Sequence, residues 1–275
     1  MKKPLIGASC AALLLSGATA LAGASPASAA PVAVTYAGTV ALSNCSGSLV
    51  RLPNSTAADP ALVLSNGHCL ETGFPGPGQV LVNRSSSRSF TLLGASGGSL
   101  GTVRANKIVY GTMTDTDISI YQLTSTYASI QSRYGISPLT ISPNHPTQGA
   151  AIKVVSGYWK RTYSCSIDGF AYRLKEGAWT WKDSVRYTSS CNTIGGTSGS
   201  PVIDTATGLV TAVNNTGNED GERCTDNNPC EVDQNGNVTV RQGINYAEET
   251  YGIPACFAPG NRLDLTLAGC VLPRP

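Results

Sequence analysis

The amino-acid sequence predicts an all-β fold, a barrel or a sandwich, on two observations. Short apolar or alternating runs recur at residues 48–52, 61–64, 79–82, 90–93, 103–110, 118–123, 151–155, 171–174, 179–187, 209–213 and 238–244. Clusters rich in Gly, Pro, Asn and Ser separate them, as at residues 73–78 and 94–101. Many short strands with turn signals at this spacing build barrels or sandwiches. There is no alternation of strand and helix patterns, which disfavours a parallel α/β sheet.

The first residues carry a different signal. Lys2 and Lys3 precede an almost wholly apolar or small stretch from Leu5 to Leu21, and Ala27-Ser28-Ala29 follows. These are the charged start, apolar centre and small-residue cleavage site of a secretory signal peptide, residues 1–29, cut after Ala29. Gly and Ser interrupt the apolar run, which is shorter than the roughly 20 residues a spanning helix needs. Cys10 precedes Leu13-Leu14-Leu15 instead of following it, unlike a lipid-anchored cysteine. Cleavage removes both lysines and takes the formal charge from +2 to zero. A neutral chain with no block of like charges points away from nucleic acid and anionic membranes as partners. The apolar fraction of 41% is that of a globular protein.

Beyond the leader stand Cys45, Cys69, Cys165, Cys191, Cys224, Cys230, Cys256 and Cys270. An even number of cysteines in an exported chain reads as a disulfide framework, with connectivity left open by the count. There is no C-x-x-C pair and the only histidines are His68 and His145. A structural zinc site is therefore not expected, and no other metal is assigned. The oxygen-rich stretch from Asn218 to Asn228 reads as a solvated loop in preference to a calcium site.

Residues 124–138 break the β pattern, with Tyr127, Ile130 and Tyr134 at helical separation before Gly135 and Pro138. This crossing divides the chain near residue 135 into segments 30–135 and 136–275. A short C-terminal helix is expected at residues 246–251.

Three motifs carry chemistry. Leu62-Val63-Leu64-Ser65-Asn66-Gly67-His68-Cys69 runs a strand into a His beside a cysteine. Thr116-Asp117-Ile118-Ser119-Ile120-Tyr121 opens an alternating strand with an Asp. Gly195-Gly196-Thr197-Ser198-Gly199-Ser200-Pro201-Val202 sets a Ser among small residues just before another strand. A serine hydroxyl needs a neighbouring base to act as nucleophile near neutral pH. Imidazole suits that role, and a buried carboxylate fixes its tautomer. Glycines let the backbone turn two N–H groups, those of Gly196 and Ser198, toward one developing oxyanion. Position 200 is Ser, so the G-x-S-x-G elbow of α/β-hydrolases is absent.

Together these motifs resemble those of the chymotrypsin-like (trypsin-fold) serine endopeptidases, especially the secreted bacterial branch. The resemblance implies two six-stranded antiparallel β-barrels with the active site between them. It implies His68, Asp117 and Ser198 as catalytic residues and protein or peptide as substrate, with no cofactor. Asp117 is favoured over Asp115 because it directly precedes the Ile118, Ile120 alternation, and His145 reads as structural or exposed. Cys45-Ser46-Gly47-Ser48 resembles the family strand whose cysteine bridges to the one after the catalytic His, which implies Cys45–Cys69. The pairs Cys165–Cys191, Cys224–Cys230 and Cys256–Cys270 complete the set, the last two on proximity in sequence.

By the same resemblance the substrate pocket takes Asn192 and Thr193 before Ser198, and Val213, Asn214, Asn215 and Thr216 after it. Asn192 stands where trypsin-type enzymes have Asp, so no selection of Arg or Lys is expected. Val213 replaces the pocket His of glutamyl endopeptidases, which argues against Glu selectivity. The pocket expected is polar and uncharged. Thr197 replaces the Asp that receives a freed N-terminus in animal relatives, so maturation is expected not to use that switch. The chain is expected to be a secreted monomer, free of membranes after cleavage. The alternatives are a non-catalytic protease-like binding protein and an esterase-type serine hydrolase.

Overall fold

The computed structural model describes Met1 and residues 31–275; the signal segment expected at residues 1–29, Met1 aside, lies outside the described residues, as does Cys10. The first strands are β1 (Thr39–Ala41), β2 (Ser46–Arg51), β3 (Pro60–Ser65), β4 (Val80–Ser85), β5 (Ser89–Leu93), β6 (Ser99–Thr112) and β7 (Ile118–Thr126). Then come α1 (Tyr127–Tyr134), β8 (Leu139–Thr140), β9 (Ala151–Ser156), β10 (Arg161–Glu176), β11 (Trp179–Tyr187), β12 (Pro201–Asp204) and β13 (Val210–Gly217). The chain ends with β14 (Cys230–Val232), β15 (Val238–Val240), β16 (Asn245–Glu249), β17 (Phe257–Ala258) and β18 (Arg262–Leu263).

These strands close into two rings of six. The first runs β1-β5-β6-β7-β3-β2 and returns to β1, with β4 on the second half of β6. The second runs β11-β16-β13-β12-β9-β10 and returns to β11, with β14 and β15 extending from β10. Closure leaves each ring without an open edge, which removes the unpaired backbone groups an edge strand exposes.

Strand alternation explains how the rings meet. In β3, Ala61 and Val63 point into the first barrel, while Leu62 and Leu64 join a second apolar layer. In β7, Tyr121 and Leu123 fill the barrel, and Ile118 and Ile120 join that same layer. The layer also takes Val155, Ile203, Val210 and Val213 from the second barrel. A period-2 strand buried on both faces therefore welds one ring to the other. The cleft between them opens where β3 and β7 begin or end, at His68 and Asp117.

The Thr126 hydroxyl caps α1 by accepting from the Ser129 N–H, and Gly135 ends it at φ 66° in the left-handed region. Tyr127 and Ile130 bury its inner face. Residues 246–251 do not form the helix expected of them. Asn245–Glu249 is instead β16, pairing with β11 on one side and β13 on the other. Without this sixth strand the second ring would stay open, so barrel closure overrides local helical character. A single 3-10 turn at Pro254–Cys256 follows. Disulfides join Cys45 to Cys69, Cys165 to Cys191, Cys224 to Cys230 and Cys256 to Cys270.

Candidate active site

β3 delivers His68. After Ser65 the chain enters a tight turn, Gly67–Cys69, and fully buried Cys69 is tied to Cys45. Gly67 is required there, because a Cβ would overlap the Thr112 carbonyl oxygen and crowd Asp117 Oδ1. Buried Asn66 donates through Nδ2 to the Asp117 carbonyl at 2.7 Å, and its own carbonyl accepts from Ser119 Oγ at 2.7 Å. The His turn and the start of β7 are thus stitched together before their side chains meet.

Asp117 is fully buried and uses both carboxylate oxygens on His68. Oδ1 accepts from the His68 backbone N–H at 3.0 Å, and Oδ2 lies 2.7 Å from Nδ1. A proton on Nδ1 satisfies the carboxylate and leaves Nε2 with its lone pair, as a general base needs. Burial opposes charge on His68, yet the Asp117 charge and hydrogen bond, with the Glu176 charge, outweigh it. The imidazole pKa therefore lies above its ordinary 6.5.

Ser198 sits in the loop between β11 and β12. Gly196 and Gly199 flank it at φ 86° and 81°, a region open mainly to glycine. A Cβ on Gly199 would overlap the Ser46 carbonyl and Ser65 Oγ, so the loop lies tight on the first barrel. Ser198 Oγ donates to the Asn215 carbonyl at 3.2 Å. Among the described residues neither the Gly196 nor the Ser198 N–H has a hydrogen-bond partner.

One cavity of about 340 Å³ is lined by His68, Asp117 and Ser198 together with Thr193, Asn214, Asn215 and Thr216. Two residues expected in the pocket are not in its lining. Asn192 is exposed, because the chain turns outward directly after buried Cys191. Val213 is fully buried, its strand alternation sending it into the layer between the barrels. Asp115 lies outside the cavity and pairs with Lys182 at the surface. His145 is not part of the lining either.

The pocket is also not uncharged. Glu176, Glu219 and Asp226 line it, along with Phe74, Trp179 and Trp181. Glu176 ends β10, and its Oε1 accepts from the Asn227 N–H at 2.8 Å. Burial is the main cause that raises its pKa, against hydrogen bonds from Thr216 and Asn227 and the His68 charge. Behind Asn215 lies fully buried Glu248, whose Oε1 accepts from Asn215 Nδ2 at 3.2 Å and Ser184 Oγ at 2.9 Å. Burial, aided by the Asp117 charge, pushes Glu248 up to about 8. Sequence patterns miss both glutamates, since only strand register brings them here. The one local signal is a charged residue at an apolar strand position, as with Glu248 after Tyr246-Ala247.

The family model of the trypsin-like peptidase domain matches residues 45–213, which include His68, Asp117 and Ser198. Among solved structures, the active form of the Rv3671c protease from M. tuberculosis is 15% identical, with 88% of this chain and 85% of that chain covered and a TM-score of 0.48. The MamO protease domain from Magnetospirillum magneticum is 13% identical, covering 78% and 93% respectively, with a TM-score of 0.47. The Nocardiopsis protease is 13% identical, covering 78% and 90%, with a TM-score of 0.45. No curated protein matches the chain.

Proposed function

The chain belongs to the trypsin-like peptidase family and is a serine endopeptidase, and from that premise we propose that it cuts through an acyl-enzyme on Ser198. His68 Nε2 takes the Ser198 proton as Oγ attacks the scissile carbonyl carbon. The Gly196 and Ser198 N–H groups receive the oxyanion that forms. As the intermediate collapses, the C–N bond breaks and His68 returns the proton to the leaving amine. Water then repeats the sequence, releasing the acid and restoring Ser198. Asp117 holds the imidazole in the tautomer that leaves Nε2 free and stabilises the imidazolium. The Ser198 hydroxyl turns from the Asn215 carbonyl toward His68 as substrate binds, since catalytic hydrogen bonds commonly tighten only in the complex.

The observation that carries this reading is the double contact of buried Asp117 with His68, in the lining of the same cavity as Ser198. The test combines a fluorophosphonate probe with casein digestion, on the wild type and Ser198→Ala. Labelling and proteolysis, both lost in the variant, are expected. Labelling without proteolysis would favour an esterase, and no labelling a binding protein.

The acidic lining supports a basic side chain as the preferred occupant of this cavity, with Glu176 opposite its charge and Trp179 and Phe74 beside its stem. A peptide-library profile enriched in Arg or Lys near the cut is expected, and enrichment in Asp or Glu would overturn the assignment. Segment 30–135 supplies His68 and Asp117 in this reading, and segment 136–275 supplies Ser198 and the pocket. Secretion of a monomer after cleavage at Ala29 belongs to the same proposal. It is supported by four disulfides, which persist in oxidising compartments. No helix among the described residues is long and apolar enough to cross a membrane.

A further inference from the structure

Three side chains from separate parts of the chain meet on the second barrel, and none of them lines the catalytic cavity. His145 lies in the loop between β8 and β9, Asp183 on β11, and Glu249 at the end of β16. His145 Nε2 stands 3.1 Å from Asp183 Oδ2 and 2.9 Å from Glu249 Oε1. All three donor atoms lie within 4.8 Å of one another.

The hydrogen bonding around the ring assigns its protons. His145 Nδ1 is 2.7 Å from the Pro146 carbonyl, which can only accept, so Nδ1 carries a hydrogen. Nε2 is within hydrogen-bond reach of Asp183 Oδ2 and faces the Glu249 carboxylate as well, so either its own proton or a metal ion taking that proton's place joins the three groups. Glu249 is nine-tenths buried, with a side-chain exposure of 6%, and neither of its oxygens has a hydrogen-bond partner among the described residues. The 2.9 Å approach of Oε1 to Nε2 is close but lacks hydrogen-bond geometry. An imidazole nitrogen and two carboxylate oxygens, one carboxylate nine-tenths buried, converge within 4.8 Å, the donor set and spacing of a small cation site.

We propose that His145 Nε2, Asp183 Oδ2 and Glu249 Oε1 bind a zinc ion, with water completing a tetrahedral shell. Zinc takes nitrogen and carboxylate oxygen at about 2.0–2.2 Å, which sets ligands about 3.3–3.5 Å apart in a tetrahedron. The separations from Nε2, 3.1 and 2.9 Å, need only a few tenths of an ångström of expansion. An imidazole donor with so few oxygens does not suit calcium, which takes six to eight oxygens. The Nδ1–H bond to a backbone carbonyl is the support a ligating histidine commonly has. Phe170 and Tyr251 hold the ring, with centroids 4.6 and 5.1 Å from it. Side-chain exposures of 42% for His145 and 45% for Asp183 leave the fourth position open to solvent. The ion would clip the loop before β9 to β11 and β16, a structural role separate from peptide cleavage. This inference departs from the expectation, drawn from the lack of C-x-x-C and the scarcity of histidine, that no structural zinc site exists.

Having only two histidines makes the test clean. Zinc chloride is titrated calorimetrically into the secreted protein carrying Ser198→Ala to prevent self-digestion, and thermal midpoints are read in parallel. One equivalent should bind, with a saturable rise in the midpoint. His145→Ala should abolish binding, and Asp183→Asn, at a half-exposed side chain, should weaken it by more than about tenfold. His68→Ala should bind as the parent does. Absence of zinc binding would overturn the site and leave an imidazolium–carboxylate ion pair in its place. Binding that survives both His145→Ala and Asp183→Asn, or that vanishes with His68→Ala, would overturn it equally.

Discussion

Ser46 holds Ser198 from across the cleft, its N–H donating to the Ser198 carbonyl at 2.8 Å. The Ser46 hydroxyl extends the grip, donating to the Gly196 carbonyl at 3.1 Å and lying 3.0 Å from Ser156 Oγ. It also accepts from the Tyr158 N–H at 3.1 Å. Ser46→Ala keeps the backbone bond and strips these side-chain contacts, leaving polar groups unpaired at a cost of about 1–3 kcal/mol. The oxyanion loop should loosen, lowering kcat by about tenfold with little change in KM. Denaturant titration and steady-state kinetics on one peptide substrate read the two effects. A KM increase at constant kcat would show that Ser46 serves binding and not loop geometry.

The same close approach makes neighbouring glycines unequal. Gly199 has φ 81°, and its Cβ would overlap Ser46 and Ser65, whereas a Cβ on Gly195 meets nothing within 4 Å. Gly199→Ala combines backbone strain with a clash and should destabilise by more than about 2 kcal/mol. It should also abolish fluorophosphonate labelling, while Gly195→Ala labels like the wild type. Equal labelling of both variants would mean that the loop is not seated on the first barrel as described.

The three motifs are readable in sequence because each gathers its chemistry into a few consecutive residues. Asn66-Gly67-His68-Cys69 holds the base, the glycine that permits the turn and the cysteine that fixes it. What escapes is whatever depends on register. Glu176 reaches the cavity only because β10 runs long enough to bring its last residue there, and nothing near it in sequence points to His68. Val213 looks like a pocket residue beside Asn214 until alternation turns it into the layer between barrels. Residues 246–251 have local helical character, but the need for a sixth strand is set by partners far away in the chain.

Glu176 ties cleavage preference to pH dependence. His68 acts as base only when neutral, so kcat/KM should rise with pH through a midpoint above 6.5. The Glu176 charge is one contribution holding that midpoint up, so Glu176→Gln should move the acid limb to lower pH. The same variant should lose preference for basic side chains, since the carboxylate facing the cavity is gone. Profiles of kcat/KM against pH on a basic and a neutral peptide test both effects. An unmoved acid limb would remove Glu176 from the electrostatics of His68, and unchanged preference would remove it from the pocket.

Glu248 gives the last expectation, in stability. Its folded pKa of about 8 stands above the ordinary 4.5, so between these values the native state binds more protons than the unfolded chain. Stability then falls as pH rises from about 4.5 to about 8 and levels off beyond. Removing the titration with Glu248→Gln keeps an oxygen to accept from Asn215 and Ser184. It should flatten that slope, a relative gain at alkaline pH on the order of 5 kcal/mol. Denaturant midpoints of the wild type and variant, both carrying Ser198→Ala, should converge near pH 4.5 and diverge toward pH 8. Parallel curves across that range would mean that Glu248 ionises without penalty. Its contact with Asn215 would then be a hydrogen bond between ordinary charged and neutral partners, not the support of a buried neutral acid.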